Sequence, residues 1–200
     1  MGKIVVKETR LAFPNIWEAT HFGGDTKSKP SRSCTLLVTP DSPADKLIKE
    51  AIFAVAKEKW KDKWQVVLKK LKEENRICYI DGDRKTNDDG EVLQGFEGMK
   101  ALSCRSYQEV RVFDSDAVTP LTQESGKLYG GCWVDASVDV WAQDSSQWGR
   151  RINCRILGLK FKRDGDAFSG GAPASADDFE PEANTGGASG GFNYDDDIPF

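Results

Sequence analysis

Planar rings set beside fixed positive charges can hold a polyanion that carries flat groups, and this chain offers both at several places. In GCWVDASVDVWAQD, residues 131–144, Val134, Ala136, Val138 and Val140 alternate with Trp133, Asp135, Ser137, Asp139 and Trp141. Successive side chains of a strand point to opposite faces, so the first set fills a core and both tryptophans fall on the polar face. Two indoles there have two readings. They cover a second small core or a loop, or they form a platform on which nucleic-acid bases stack, worth ~1–3 kcal/mol per base.

The basic residues favour the second reading. Lys27, Lys29 and Arg32 occupy a Gly/Ser/Lys stretch, Arg105 stands two residues before Tyr107, Arg111 follows, and Trp148 precedes Arg150 and Arg151. Trp17 and Phe22 lie in an aromatic setting flanked by Gly and Lys. Every phosphate carries a charge and every base a stackable face, so this interleaving suits single-stranded nucleic acid. Any one arginine is an ordinary solvated charge; the combination carries the reading. The lysine-rich KEKWKDKWQVVLKKLKEE, residues 57–74, is a rival surface, but its closely spaced acids describe a solvated amphipathic helix better.

No catalytic set emerges, and an enzyme is not expected. DGDRKTNDDGEV, residues 81–92, places Asp81, Asp83, Asn87 and Asp89 at the alternate spacing of a calcium loop. Its fifth, sixth and twelfth positions are Lys85, Thr86 and Val92, which a calcium loop would not use. The same acids sit in one stretch, whereas a two-metal nuclease needs ligands held by several elements. His21 is the only histidine and has no visible nucleophile partner. Cys34, Cys78, Cys104, Cys132 and Cys154 lie far apart without metal-type pairing and read as buried structural thiols. No cofactor and no metal are expected.

These residues need a frame, and charge divides it. All 28 Lys and Arg fall in residues 1–163 with 23 acids, a net +5, while residues 164–200 hold nine acids and no base. Residues 1–168 read as the body, 169–191 as a flexible Gly/Ser/acidic linker and 192–200 as an acidic tip. The linker's span would be on the order of 25–30 Å. Within the body, strands are expected at Lys3–Phe13, Ser33–Thr39, Arg76–Ile80, Ala101–Tyr107, Cys132–Gln143 and Arg151–Phe161. A helix starts at Asp41 or Ser42 with Pro43 in its first turn and shows an apolar face of Leu47, Ile48, Ala51, Ile52 and Val55. A second helical piece, Trp64–Glu74, follows a break at Lys61–Lys63, and Asp81–Gly98 reads as an exposed loop or hairpin. The fold class is mainly β with an inserted helix, an OB-fold-like twisted barrel, followed by a disordered acidic C-terminal tail. The N-terminus lacks a signal-peptide core and no stretch suits a bilayer, so a cytoplasmic protein without membrane contact is expected.

The tail carries a resemblance. DDDIPF, Asp195–Phe200, matches the C-terminal tip of bacterial single-stranded DNA-binding proteins residue for residue. In that family the tip docks into basic-rimmed apolar pockets on replication and repair proteins. The resemblance implies that Phe200 and its carboxylate enter such a pocket, behind Ile198 and Pro199, while Asp195, Asp196 and Asp197 steer the approach. The body is instead similar to tailed-phage single-stranded DNA-binding proteins with a larger OB-fold core. RLAFPNIWEA, SKPSRSCTLLVTP, CYIDGDR with GFEGMKALSCRS, LYGGCWVDASVDVWAQD and RINCRILGLKFKRDGDAF carry that likeness. It implies a chain that binds and protects single-stranded DNA without strong sequence preference during phage replication and recombination in a host bacterial cytoplasm. Host or phage replication and repair proteins would be its partners, and a monomer or homodimer is expected rather than the bacterial tetramer. An annealing mediator, an adaptor that never touches DNA and a metal-dependent nuclease are the rivals.

Overall fold

A computed structural model describes residues 2–21 and 26–168. The elements run β1 (Gly2–Thr20), β2 (Ser31–Val38), α1 (Pro43–Trp60), α2 (Trp64–Glu73), β3 (Tyr79–Asp81), β4 (Lys100–Ser106), β5 (Arg111–Phe113), β6 (Trp133–Ser145) and β7 (Gly149–Arg163). The strands form one sheet in the order β3-β4-β2-β1-β6-β7-β5. The fold is thus mainly β with an inserted helical segment. Residue 22, and the expected linker and tip from 169 onward, lie outside the described residues.

β1 is longer than the sequence suggests. Pro14 cannot donate to a ladder, which argues for a stop at Phe13. The strand instead takes up the proline in a bulge: Phe13 has φ +49° and the register shifts between Ala12 and Asn15. The first half pairs with β6, from Gly2↔Val140 to Arg10↔Trp133, and the second with β2, from Arg10↔Leu37 to Thr20↔Ser31. One strand thereby belongs to both walls of a barrel.

The expected strand Arg76–Ile80 splits its bonds between two partners. Tyr79–Asp81 ladders with β4, while Cys78 N–H donates to Ile152 O at 3.0 Å and Ile152 N–H to Arg76 O at 3.0 Å. On the other side Ser103 N–H donates to Cys78 O at 2.8 Å. Residues 76–78 therefore close the barrel between β4 and β7. β5 went unread because three residues, RVF, are too short for a period.

The valine face fills the interior as its alternation predicts: Val134, Ala136, Val138 and Val140 are fully buried with Val6, Leu11, Leu36, Leu102 and Ile156. Ile48, Ala51, Ile52 and Val55 of α1 join the same core, while Leu47 is only half-buried. Four of the cysteines are buried and Cys78 is half-buried; Cys104 Sγ lies 3.4 Å from Cys154 Sγ across the seam. Contact with Cys154, followed by contact with Cys34 and burial for Cys104 and by burial for Cys78, pushes both thiols well above the ordinary range. A second apolar cluster lies outside the barrel: Ala12, Leu37, Phe96 and Ala101, with Leu93, Met99 and Phe168 against them. Asp81–Gly98 is therefore not simply an exposed loop, because Phe96 pins it to the sheet.

α1 begins where its cap signal puts it. Ser42 Oγ accepts from Asp45 N–H at 3.2 Å with Pro43 in the first turn. Asp45 is itself fully buried and accepts from Asp41 N–H, Lys49 Nζ and Tyr79 Oη, each at 2.8 Å. Burial alone would raise its pKa, but these three donors outweigh it and hold the carboxyl below its usual range. A depressed folded-state pKa stabilises above the unfolded value and is lost as pH falls through the folded one. Asp45→Ala is expected to cost about 2–4 kcal/mol in urea unfolding at pH 7. The wild-type advantage should shrink once pH falls below the ordinary aspartate value, ~3.9.

Candidate nucleic-acid interface

One corner of the barrel collects several of the sequence-derived residues. The ladders Asn15↔Ser33, Thr20↔Ser31, Arg32↔Ser106 and Ser33↔Arg105 bring together the end of β1, the start of β2 and the end of β4. Arg32 Nε donates to Trp17 O at 3.4 Å, and Lys29 Nζ stands 5.1 Å from the Tyr107 ring centroid. Tyr107 is 56% exposed. Trp17 is half-buried and packs against the main core, so its indole serves the body first. Lys27 lies in the loop that leads into β2. Phe22 falls outside the described residues.

The β6–β7 hairpin makes a second group. Ser145 Oγ accepts from Gln147 N–H and Trp148 N–H, both at 3.2 Å, which fixes a tight turn and leaves Trp148 68% exposed. Trp141 is 39% exposed. Arg150 Nε donates to Asp144 Oδ2 at 3.1 Å, and the same oxygen accepts Trp60 Nε1 at 3.1 Å, so α1 braces the hairpin. Arg151 pairs across the ladder with Gln143.

The seam fixes how these groups relate. Cys78 joins Ser103 of β4 to Ile152 of β7, the segment running parallel to β7 and antiparallel to β4. Moving toward Arg76 from that cross-section leads to Arg105 on one side and Arg151 on the other. Both basic-aromatic groups therefore stand at the same end of the barrel. They lie in or beside the 1–2 and 4–5 loops of the five-stranded barrel β1-β2-β4-β6-β7 and on the adjoining strand ends, and such loops line oligonucleotide grooves in OB folds.

Trp133 lies elsewhere. Eight residues of strand put it about 27 Å from Trp141, so the two indoles do not share one platform. Its ring sits 4.3 Å from Arg163 Cζ and 5.8 Å from Arg10 Cζ, and Arg10 also covers Phe168 at 4.3 Å. Between the tryptophans the polar face is occupied by ion pairs, Asp135–Lys160 and Asp139–Arg155, both at 2.9 Å. Burial would raise Asp135, but Lys160 and the Glu8 N–H outweigh it and lower its pKa. Arg111 is exposed on β5, the edge strand beside Gly158 of β7.

The side chains of Asp81, Asp83 and Asn87 in the calcium-like stretch are engaged locally. Asp81 pairs with Lys100 at 2.7 Å, Asp83 Oδ1 accepts Gly98 N–H at 2.7 Å, and Asn87 Oδ1 accepts Asp89 N–H and Glu91 N–H. In the lysine-rich stretch Trp60, Val67 and Leu71 face inward, as an amphipathic helix requires. Phe13, absent from the sequence-derived set, is 51% exposed. Its only sequence signal is the Phe-Pro break inside an otherwise continuous strand.

Strand order and closure define an OB-fold-like protein with a basic, aromatic end. The family model for the single-stranded DNA-binding protein of Enterobacter phage Enc34 matches residues 2–189, and the chain belongs to that family. Putative protein p50 of Acyrthosiphon pisum secondary endosymbiont phage 1 is 34% identical over 182 residues, 89% of this chain and 92% of that one. Among solved structures, a C-terminal truncation of the bacteriophage Enc34 protein shares 27% identity with TM-score 0.65, covering 84% of this chain and 88% of its own. Gp2.5, the single-stranded DNA-binding protein of bacteriophage T7, matches in fold, with 8% identity and TM-score 0.55, covering 88% of this chain and 99% of that one. Among the described residues no helix is long and apolar enough to cross a membrane.

The two environments of the exposed and stacked indoles separate their roles in stability. Trp148→Ala is expected to leave urea unfolding within about 0.5 kcal/mol of the parent. Trp133→Ala should cost about 1–3 kcal/mol through loss of its packing between Arg163 and Arg10.

Proposed function

We propose that the chain binds and protects single-stranded DNA, without strong sequence preference, in phage replication and recombination. The observation that carries the reading is the meeting of Lys29, Arg32, Arg105 and Tyr107 at the same barrel end as Trp148, Arg150 and Arg151. Cations there neutralise phosphates while exposed rings stack on bases, a combination indifferent to base identity. The solved Enc34 protein in complex with single-stranded DNA, 24% identical to this chain, has the same fold and supports the reading. Trp17, Lys27 and Trp141 flank this end; Arg111 and Trp133 would touch DNA only if the strand wraps further around the barrel. Binding rather than catalysis is the activity.

The division into a DNA-binding body at 1–168, a linker at 169–191 and a tip at 192–200 is part of the same proposal. Asp195–Phe200 pairs acids with an apolar end, which suits recruitment of host or phage replication and repair proteins through basic-rimmed apolar pockets. The setting is the host bacterial cytoplasm, and the unit is a monomer or homodimer.

Titrating the full-length protein with oligo-dT and with matched duplex, at two salt concentrations, tests the body. Tryptophan fluorescence should be quenched by the single strand and not by the duplex, with affinity falling as salt rises. Lys29→Ala or Arg105→Ala should lower the magnitude of the salt slope by about 0.7 per lost phosphate contact. Absence of quenching and binding would overturn the reading. Deleting 195–200 should abolish co-purification of host replication and repair proteins while oligo-dT affinity persists.

A further inference from the structure

We infer that Phe13 is a second stacking platform for single-stranded DNA, on the outer face of β1 and across the sheet from Arg105 and Tyr107. This rests on the DNA-binding reading above and extends its site to a strand outside the two loops.

The local backbone makes the case first. Phe13 adopts φ +49°, the left-handed region that bulky side chains avoid. Among the described non-glycine residues with positive φ, it is the only aromatic; the others are Glu8, Asp41, Lys61, Asn75 and Ala117. Glycine or asparagine would take this conformation with less strain. A bulge re-aims a side chain, and here it does so visibly. Ala12 is buried in the outer cluster, and the next residue, which regular alternation would send inward, meets the same cluster through Phe96. The rings stand 5.7 Å apart at 39°, and Phe96 is 1% exposed. Phe96 is already held by Ala12, Leu37 and Ala101, so it does not need a half-exposed ring to cover it.

Position across the sheet supplies the second argument. Ala12 and Asn15 pair with Thr35 and Ser33 of β2, and these pair with Ser103 and Arg105 of β4. Two strand spacings, ~10 Å, therefore separate the Phe13 bulge from the row that ends in Arg105 and Tyr107. The row between them carries Asn15, Ser33, Thr35 and Ser103, all short side chains, of which Thr35 alone is buried. Lys29 beside Tyr107 and Arg105 on β4 supply the charge for a phosphate passing between two rings. Tyr107 stands about three residues further along, just past β4, so the two rings are roughly 14 Å apart. An exposed ring on a fixed floor at that distance from a cation-flanked ring suits bases of one strand with a nucleotide or so between them.

The test uses the full-length protein with Phe13→Leu, Phe13→Trp and Tyr107→Leu, measured by anisotropy of fluorescein-labelled oligo-dT and by thermal melting. Phe13→Leu keeps apolar contact with Phe96 and should melt within a few degrees of the parent, yet bind about tenfold more weakly, the size of one lost stacked base. Phe13→Trp should retain affinity and add a fluorescence signal quenched on binding. If Tyr107→Leu weakens binding and Phe13→Leu does not, the inference is overturned and the DNA-binding reading stands. A loss of affinity in Phe13→Leu matched by a large drop in melting temperature would also overturn it, since the ring would then be structural. Failure of the unaltered protein to bind any single strand would overturn both.

Discussion

The backbone hydrogen bonds on the two sides of Cys78 convert an open sheet into a barrel. Without them β4 and β7 are separate strands, each with a long unpaired stretch, and the cysteines that meet between them lose their enclosure. The short segment that closes the seam is itself held from outside. Tyr79, one residue on, donates to the buried Asp45 carboxylate at the start of α1, so the inserted helix fastens the closing strand. Burial and the neighbouring carboxylate both push the Tyr79 phenol up, keeping its proton in that bond. The same helix reaches the far hairpin through Trp60 and Asp144. One inserted element thus holds both the seam and one of the two loops at the basic, aromatic end of the barrel.

Polar groups on the outer face are treated differently along its length. On β6 and β7, Asp135 and Asp139 are buried and answered by Lys160 and Arg155, which turns that face into a tied, charge-balanced surface. At the β1-β2-β4 corner, Arg32 lies against a backbone carbonyl and Lys29 against a ring. A cation resting on a neutral partner retains its full charge for a phosphate, whereas one beside a carboxylate does not. Local pairing, rather than the number of basic residues, leaves the β1-β2-β4 corner with cations held against neutral partners, whereas Arg150 of the hairpin already faces the Asp144 carboxylate.

Much of this was legible in the sequence where a feature is local. Ser42 and Pro43 announce the helix because capping is settled within one turn. The valine alternation of β6 specifies a buried face because the strand period is two. What escaped is non-local. Periodicity places Trp133 and Trp141 on the polar side but cannot say that Arg10 and Arg163 enclose one of them. It reads Pro14 as an end, because the bulge that accommodates it depends on partners in β2 and on Phe96. It cannot foresee that residues 76–78 divide their donors and acceptors between two strands. Phe22 and the acidic segment from 169 lie outside the described residues, so their reading still rests on composition and on the DDDIPF match.

The pairing of β1 has a consequence for how the chain is made. Its first residues register with β6, Gly2 opposite Val140, across more than a hundred residues of intervening chain. At ordinary translation rates the N-terminal strand waits on the order of ten seconds before its partner leaves the ribosome. During that time β1 leaves its β6-facing edge unpaired, with β2 and later β4 the only strands already available to build on. Non-local topologies of this kind fold slowly, in the millisecond-to-second range. Each copy therefore passes through a long unfinished state during its synthesis. The helical insertion after β2, rich in local contacts, is the first part able to order itself in that interval.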